Sequence, residues 1–180
     1  SLVMKSADMF GAYPNGTTPA GTVDPLYPNS SASIKRDMTK PCSLELIQPG
    51  GGTVFVTDAG IDLHGNASRD PFKNPKHGFT IRFKGKYGAG KVDGRIFPDS
   101  PVREWDKLVL RGDFGGSWMH QSGADALTAG SDASQRARGI RIREAFCKDS
   151  FRAMGRVASH HRFCNLFING VCWGSYELME

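Results

Sequence analysis

One dipeptide constrains the fold of this chain more than any other feature. Asn169-Gly170 sits between two runs of apolar alternation, Arg162–Ile168 and Val171–Met179. Asn and Gly both accept the left-handed backbone of a two-residue hairpin turn, and the flanking apolar positions give the paired strands a face to bury. The end of the chain therefore reads as an antiparallel hairpin. The same two-residue period recurs upstream. Ser43–Gln48 places Leu44 and Leu46 on one face, and Pro49-Gly50-Gly51-Gly52 then turns the chain into Thr53–Thr57. Ala59–His64 continues as a short strand. Lys76–Lys84 alternates Phe79, Ile81 and Phe83, and Lys107–Arg111 follows as a further strand.

One stretch has the helical period instead. A helix is expected from about Ala133 to Met154, with Ile142, Phe146 and Ala153 near one face and Gly155 as the stop signal. Strands, one helix and a closing hairpin read as an α+β fold: an antiparallel β-sheet with one main packed helix. Residues 1–40 are rich in Pro, Gly, Ser, Thr and Asn and read as an irregular lead-in; residues 41–180 form the ordered part. Gly112–Gly130 is a long polar loop, a length that in compact domains goes with function.

Composition narrows the function classes. Hydrophobic residues make up 39% and charged residues 23%, enough apolar material for a core. No run of ~18 apolar residues exists, so no helical membrane span is expected. Net charge is +5, with a local cluster at Arg136, Arg138, Arg141 and Arg143. Such charge suits phosphorylated or other anionic partners. A solvated basic helix face is the simpler account of the charge alone, and no nucleic-acid-binding signature accompanies it. Cys42, Cys147, Cys164 and Cys172 form no C-x-x-C pair, which argues against zinc and thioredoxin-type chemistry; Cys147, Cys164 and Cys172 sit among apolar or aromatic residues and are expected to be buried free thiols, with a disulfide between two of them as the alternative that only geometry decides. Asp58, Asp62, Asp99 and Asp113 fit turns or caps better than metal ligation, and no metal residue is assigned.

Three features carry candidate chemistry. His64–Arg69 is a loop of small and polar residues, and Gly65 lets main-chain N–H groups approach an anion while Asn66, Ser68 and Arg69 offer side-chain donors. Lys76 opens the next strand and can reach a phosphate as a point charge. Glu144, or Asp149, is an acid on the helix that could orient such a lysine. Each has a plainer account: a turn, a solvated strand-edge lysine, and an i,i+4 pair of Glu144 with Lys148 worth ~0.2–0.5 kcal/mol.

Taken in order, these blocks resemble the CotH family of spore-coat and secreted proteins, which are similar to atypical protein kinases. Gly60-Ile61-Asp62-Leu63-His64-Gly65-Asn66-Ala67-Ser68-Arg69 looks like the family's G-I-x-[IL]-[RH]-G-N-[SA]-S-R block, and Pro75–Phe83 like its P-K-x-[SG]-F strand. Ile96-Phe97-Pro98-Asp99-Ser100, Trp105–Arg111 and the hairpin Phe167–Leu178 resemble later blocks. His64 stands where the family commonly has Arg. The resemblance implies the smaller lobe of an atypical protein kinase that moves the γ-phosphoryl of ATP to Ser or Thr of secreted or coat proteins. In it His64, Gly65, Asn66, Ser68 and Arg69 cover the phosphates, Lys76 contacts them, Glu144 (or Asp149) holds Lys76, and the closing hairpin leads into the hinge of the nucleotide site with Glu180 at its edge. ATP and a protein substrate are the implied partners, with Mg²⁺ ligands and a second lobe expected beyond residue 180, so that these residues alone are expected to be inactive. A chain ending directly after an aromatic strand reads as a fragment. A secreted, cell-surface or spore-coat location follows from the same resemblance. The rival reading is a non-catalytic coat or surface scaffold on the same fold; a carbohydrate-binding reading rests only on Trp118.

Overall fold

A computed structural model describes residues 1–11, 26–27, 39–65, 67–69, 76–114, 116–117 and 139–180. The strands expected from alternation are present, and they close on themselves. In chain order the elements are β1 (Leu2–Val3), α1 (Ser6–Phe10), β2 (Lys40–Ile47), β3 (Thr53–His64), a 3₁₀ turn (Ala67–Arg69) and β4 (Gly78–Arg82). Then come β5 (Val92–Asp93), β6 (Glu104–Trp105), β7 (Lys107–Arg111), α2 (Arg143–Ala153), β8 (His161–Ile168) and β9 (Val171–Met179). Seven strands form a closed barrel in the order β1-β2-β3-β4-β7-β9-β8, and β5 pairs with β6 as a separate ribbon.

The hairpin around Asn169-Gly170 is formed, with Ile168 opposite Val171 and both turn residues at positive φ (51° and 83°). β3 runs unbroken from Thr53 to His64 where the sequence suggested two pieces. It is long enough to pair first with β2 (Phe55 opposite Leu46) and then with β4 (Leu63 opposite Phe79). Its inward side chains meet those of β4, β7 and β9 in one core that includes Phe55, Ile61, Phe79, Ile81, Leu108 and Tyr176.

The α+β expectation, a sheet with a packed helix like a kinase's smaller lobe, is overturned. The protein is mostly β, and the described helices are two short ones. α2 begins at Arg143. Residues 139–142 are not helical, and 133–138 lie outside the described residues. The helical spacing of Ile142 and Phe146 does not mark a buried face: they are 58% and 68% exposed, and within α2 only Ala145 is buried. The physical reason is closure. A sheet folded into a barrel buries its apolar face against itself, so no helix is required to cover it.

Closure depends on β1, in the stretch expected to be irregular. Leu2 is fully buried, pairing with Leu44 of β2 and Ile168 of β8. α1 follows, and its Met9 is buried with Leu26. Ahead of β1, beside Ser1, a cavity of about 510 Å³ opens between β2 and β8, lined by residues that include Leu46, Cys164 and Leu166.

α2 is held by charge. Glu144 pairs with Arg111 at 2.8 Å and with Lys148 at 3.0 Å, and Lys148 reaches Glu177 of β9 at 3.0 Å. The His161 Nε2–H donates to Asp149 Oδ1 at 3.0 Å. All four cysteines are free, but Cys147 and Cys172 are exposed rather than buried. Asp62 is in no turn; it lies within β3 and pairs with Arg82 of β4 at 2.6 Å. Trp105 is buried and Trp173 packs against the core, whereas Trp118 lies outside the described residues. Among the described residues no helix is long and apolar enough to cross a membrane.

Candidate functional site

Lys76 enters the fold two residues before β4, where the backbone runs very close to the end of β7. A Cβ added at Gly112 would stand 2.5 Å from the Lys76 carbonyl oxygen, so only glycine fits there without a backbone shift. This packing leaves Lys76 only 9% exposed. Its Nζ donates to the main-chain carbonyl of Ser175 on β9 and lies 4.5 Å from the centre of the Tyr176 ring. Tyr176 is itself fixed: fully buried, its hydroxyl donates to the His77 carbonyl at 3.0 Å. Gly174, at φ 99°, leaves room beside the ammonium, since an added Cβ would stand 3.6 Å from Nζ.

A second cation reaches the same oxygen. Arg141, just ahead of α2, donates from an Nη to the Ser175 carbonyl at 2.6 Å. Its Nε is buried and has no hydrogen-bond partner among the described residues. Burial, then the Arg141 guanidinium, push the Lys76 amine down to about 8, while Asp113 and Cys164 act in the opposite direction. Asp113 follows β7 at φ 61°, a left-handed conformation unusual for a non-glycine residue. Burial pushes its carboxyl up from the ordinary value; Arg141, Arg111 and the Gly116 N–H oppose that shift.

The loop after β3 is tied to this centre through His77. The His77 Nδ1–H donates to the Ser68 carbonyl at 3.1 Å, which sets its tautomer because a carbonyl can only accept. Gly65 has φ 98°, and Ser68 Oγ donates to the His64 carbonyl at 3.4 Å. His64 Nδ1 is 3.2 Å from Thr80 Oγ1. Burial, then Arg111 and Arg69, lower the basicity of the His64 ring. Asn66 lies outside the described residues.

Two of the residues singled out in the sequence are placed elsewhere. Glu144 is engaged with Arg111 and Lys148, and no contact with Lys76 is described. Glu180 accepts from the His160 N–H at 2.7 Å and lies 2.8 Å from His160 Nδ1. Conversely, Arg141, Asp113 and the Ser175 carbonyl belong to the Lys76 centre and carried no site assignment in the sequence. Arg141 stood out only as one of a basic cluster. A main-chain acceptor 34 residues away leaves no trace in the sequence that would join the two.

Residues 135–180 match the family model described as CotH kinase protein. No curated protein matches the chain. The CotH match covers less than half of the chain, and it bears out the resemblance where it lies: α2, β8, the Asn-Gly turn and β9 are all inside it. So are Arg141, Ser175 and Tyr176, three of the groups that surround Lys76. The Gly60–Arg69 and Pro75–Phe83 blocks, which also look like CotH sequences, fall outside it. Among the described residues no three His, Cys, Asp or Glu side chains group around a possible metal position.

Proposed function

We propose that this CotH-type chain is the nucleotide-binding part of a protein kinase that transfers the γ-phosphoryl of ATP to Ser or Thr of a secreted or coat protein. One observation supports it above the rest: the CotH-matching segment supplies Arg141 and the Ser175 carbonyl to the same point that Lys76 reaches from just ahead of β4. Two cations that converge on one neutral carbonyl form a ready pair of donors, and charge-assisted N–H···O bonds to phosphate are stronger than bonds to a carbonyl. The donor set therefore fits the phosphates of ATP. Lys76 and Arg141 would hold them, with Ser68, Arg69 and the Gly65 backbone at the rim.

Bound ATP would supply the transferable phosphoryl group; the protein's share is charge and position. Burial of Lys76 excludes water from its ammonium and strengthens its electrostatic reach. Gly174 keeps the space beside it open. The Tyr176 ring, locked by its hydroxyl bond, holds the ammonium by a cation–π contact. The rival scaffold reading is favoured by one observation, the commitment of Glu144 to Arg111 and Lys148 rather than to Lys76.

A thermal-shift titration separates the two. A ligand at about 100 times its Kd stabilises by about 2.7 kcal/mol, which for a chain of this size raises Tm by about 5 °C or more. ATP is expected to give such a shift with the wild type and little or none with Lys76→Ala. Equal shifts in both proteins, or none in either, would remove Lys76 from the account and leave the scaffold reading standing.

A further inference from the structure

The barrel wall has a gap one strand wide. β1 sits between β2 and β8 and holds them apart. Ser1 N donates to the Glu45 carbonyl at 2.7 Å, the Glu45 N–H donates to the Ser1 carbonyl at 2.8 Å, and Leu2 lies opposite both Leu44 and Ile168. Neighbouring strands lie ~4.8 Å apart, so β2 and β8 stand about 10 Å from each other at this point. On β8 only Ile168 has a partner in β1, whereas β9 pairs with β8 all the way back to His161. Among the described residues, 162–167 therefore have a strand on one side only. The cavity of about 510 Å³ takes the place of a strand on the other side: its lining includes consecutive residues 44–49 of the β2 edge and 162–167 of β8. Successive side chains of a strand point to opposite faces, so consecutive residues line one cavity only where it passes between strand edges. The side chains here are apolar on both faces. Leu166 is buried, and Leu46 and Cys164 pack against the core. Their neighbours Ile47, Phe163 and Phe167 are 47%, 42% and 41% exposed, where a solvated sheet face ordinarily carries polar residues.

We infer that this gap is a binding site for an extended peptide segment of a partner protein, which enters as a strand between β2 and β8 in line with β1. The main chain of the peptide pairs with the two strand edges. Its side chains are apolar on both faces, meeting Leu46, Cys164 and Leu166 on the inner side and Ile47, Phe163 and Phe167 on the outer side. The edges are what select a peptide over a hydrocarbon ligand. A hydrocarbon fills the space but gives the N–H and C=O groups of the edges nothing to pair with, and leaving such groups unpaired away from water is costly. β1 shows the same mode of capture within the chain: two apolar residues, Leu2 and Val3, become a strand only through the strands on either side. The inference does not rest on nucleotide binding at Lys76.

Fluorescence anisotropy with the whole chain and a labelled, acetylated peptide amide of sequence Lys-Lys-Val-Phe-Val-Phe-Val tests this. Saturable binding is expected. Placing proline at the central valine keeps the peptide apolar but removes a main-chain donor, and is expected to weaken binding at least about tenfold. Phe163→Ser and Phe167→Ser, at half-exposed positions, are each expected to weaken it about threefold. Hydrogen exchange read alongside is expected to show the amides of 163–167 slowed about tenfold or more by the peptide, with β3 and β4 unchanged. Equal binding of the proline peptide would mean adhesion to an apolar surface and overturns the proposal, as does the absence of binding. Protection of 163–167 that grows with protein concentration in the absence of peptide gives the gap to a second copy of the chain and overturns it too. If the serine variants do not fold by circular dichroism, the comparison of the two peptides on the wild type decides.

Discussion

At the scale of single residues, Lys76 carries most of the chemistry. Its amine is held down at about 8 against an ordinary 10.5, with burial as the first cause. The sign follows directly. Between pH 8 and 10.5 the unfolded chain keeps a proton that the folded one has lost, so removing this strain stabilises the fold as pH rises through that window. Phosphate binding changes the other way, because only the protonated amine attracts it. ATP affinity is therefore expected to fall from pH 7 to pH 9 with the loss of one proton, and to be flat over that range in Lys76→Gln; a pH series of titrations checks it. Gly112 guards the position of the same residue. With a Cβ at 2.5 Å from the Lys76 carbonyl and 3.1 Å from that of His77, Gly112→Ala must move backbone. A loss of about 1–3 kcal/mol in urea unfolding is expected, together with weaker ATP binding.

At the scale of elements, α2 and the β8–β9 hairpin show what a sequence does and does not disclose. The hairpin was legible because its turn residues have a conformational signature and its strands alternate. β7 was legible for the same reason, with the bounds Lys107–Arg111 as read. α2 was legible as a helix but not in its role. Apolar residues at helical spacing imply a buried face, and here Ile142 and Phe146 are exposed while Lys148 does the anchoring through Glu177. An ion pair between residues 29 positions apart leaves no periodic signal. The anchor is testable. Glu177 is 3% exposed, so Lys148→Met leaves a buried carboxylate without its lysine, at a cost of about 3 kcal/mol. Hydrogen exchange is expected to show α2 losing protection while β3 and β4 keep theirs. Uniform loss across the barrel would mean that α2 is part of the cooperative core.

At the scale of the whole molecule, the decisive event is closure of the barrel. It was not legible because β1, the strand that closes the barrel, is two residues long, Leu2–Val3, inside a stretch whose composition signals irregular chain. A pair of apolar residues has no period; only its pairing with both β2 and β8 makes it a strand. Leu2→Ala is therefore expected to cost about 2–5 kcal/mol, as for other fully buried leucines, and a loss under about 1 kcal/mol in denaturant unfolding would show that β1 is dispensable. Closure also explains the site. It presses the start of β4 against β7 and β9, buries Lys76 and aims it at Ser175, where Arg141 converges. The loop 64–69 was read from its glycine and polar residues, but the convergence itself was hidden, because its acceptor is main chain. The most direct test of the account is calorimetric titration of ATP into wild type and Lys76→Ala. The account predicts saturable binding by the wild type and a loss of at least about tenfold in the variant, roughly the 1.4 kcal/mol of one charge-assisted bond. Equal affinities in the two proteins would contradict it.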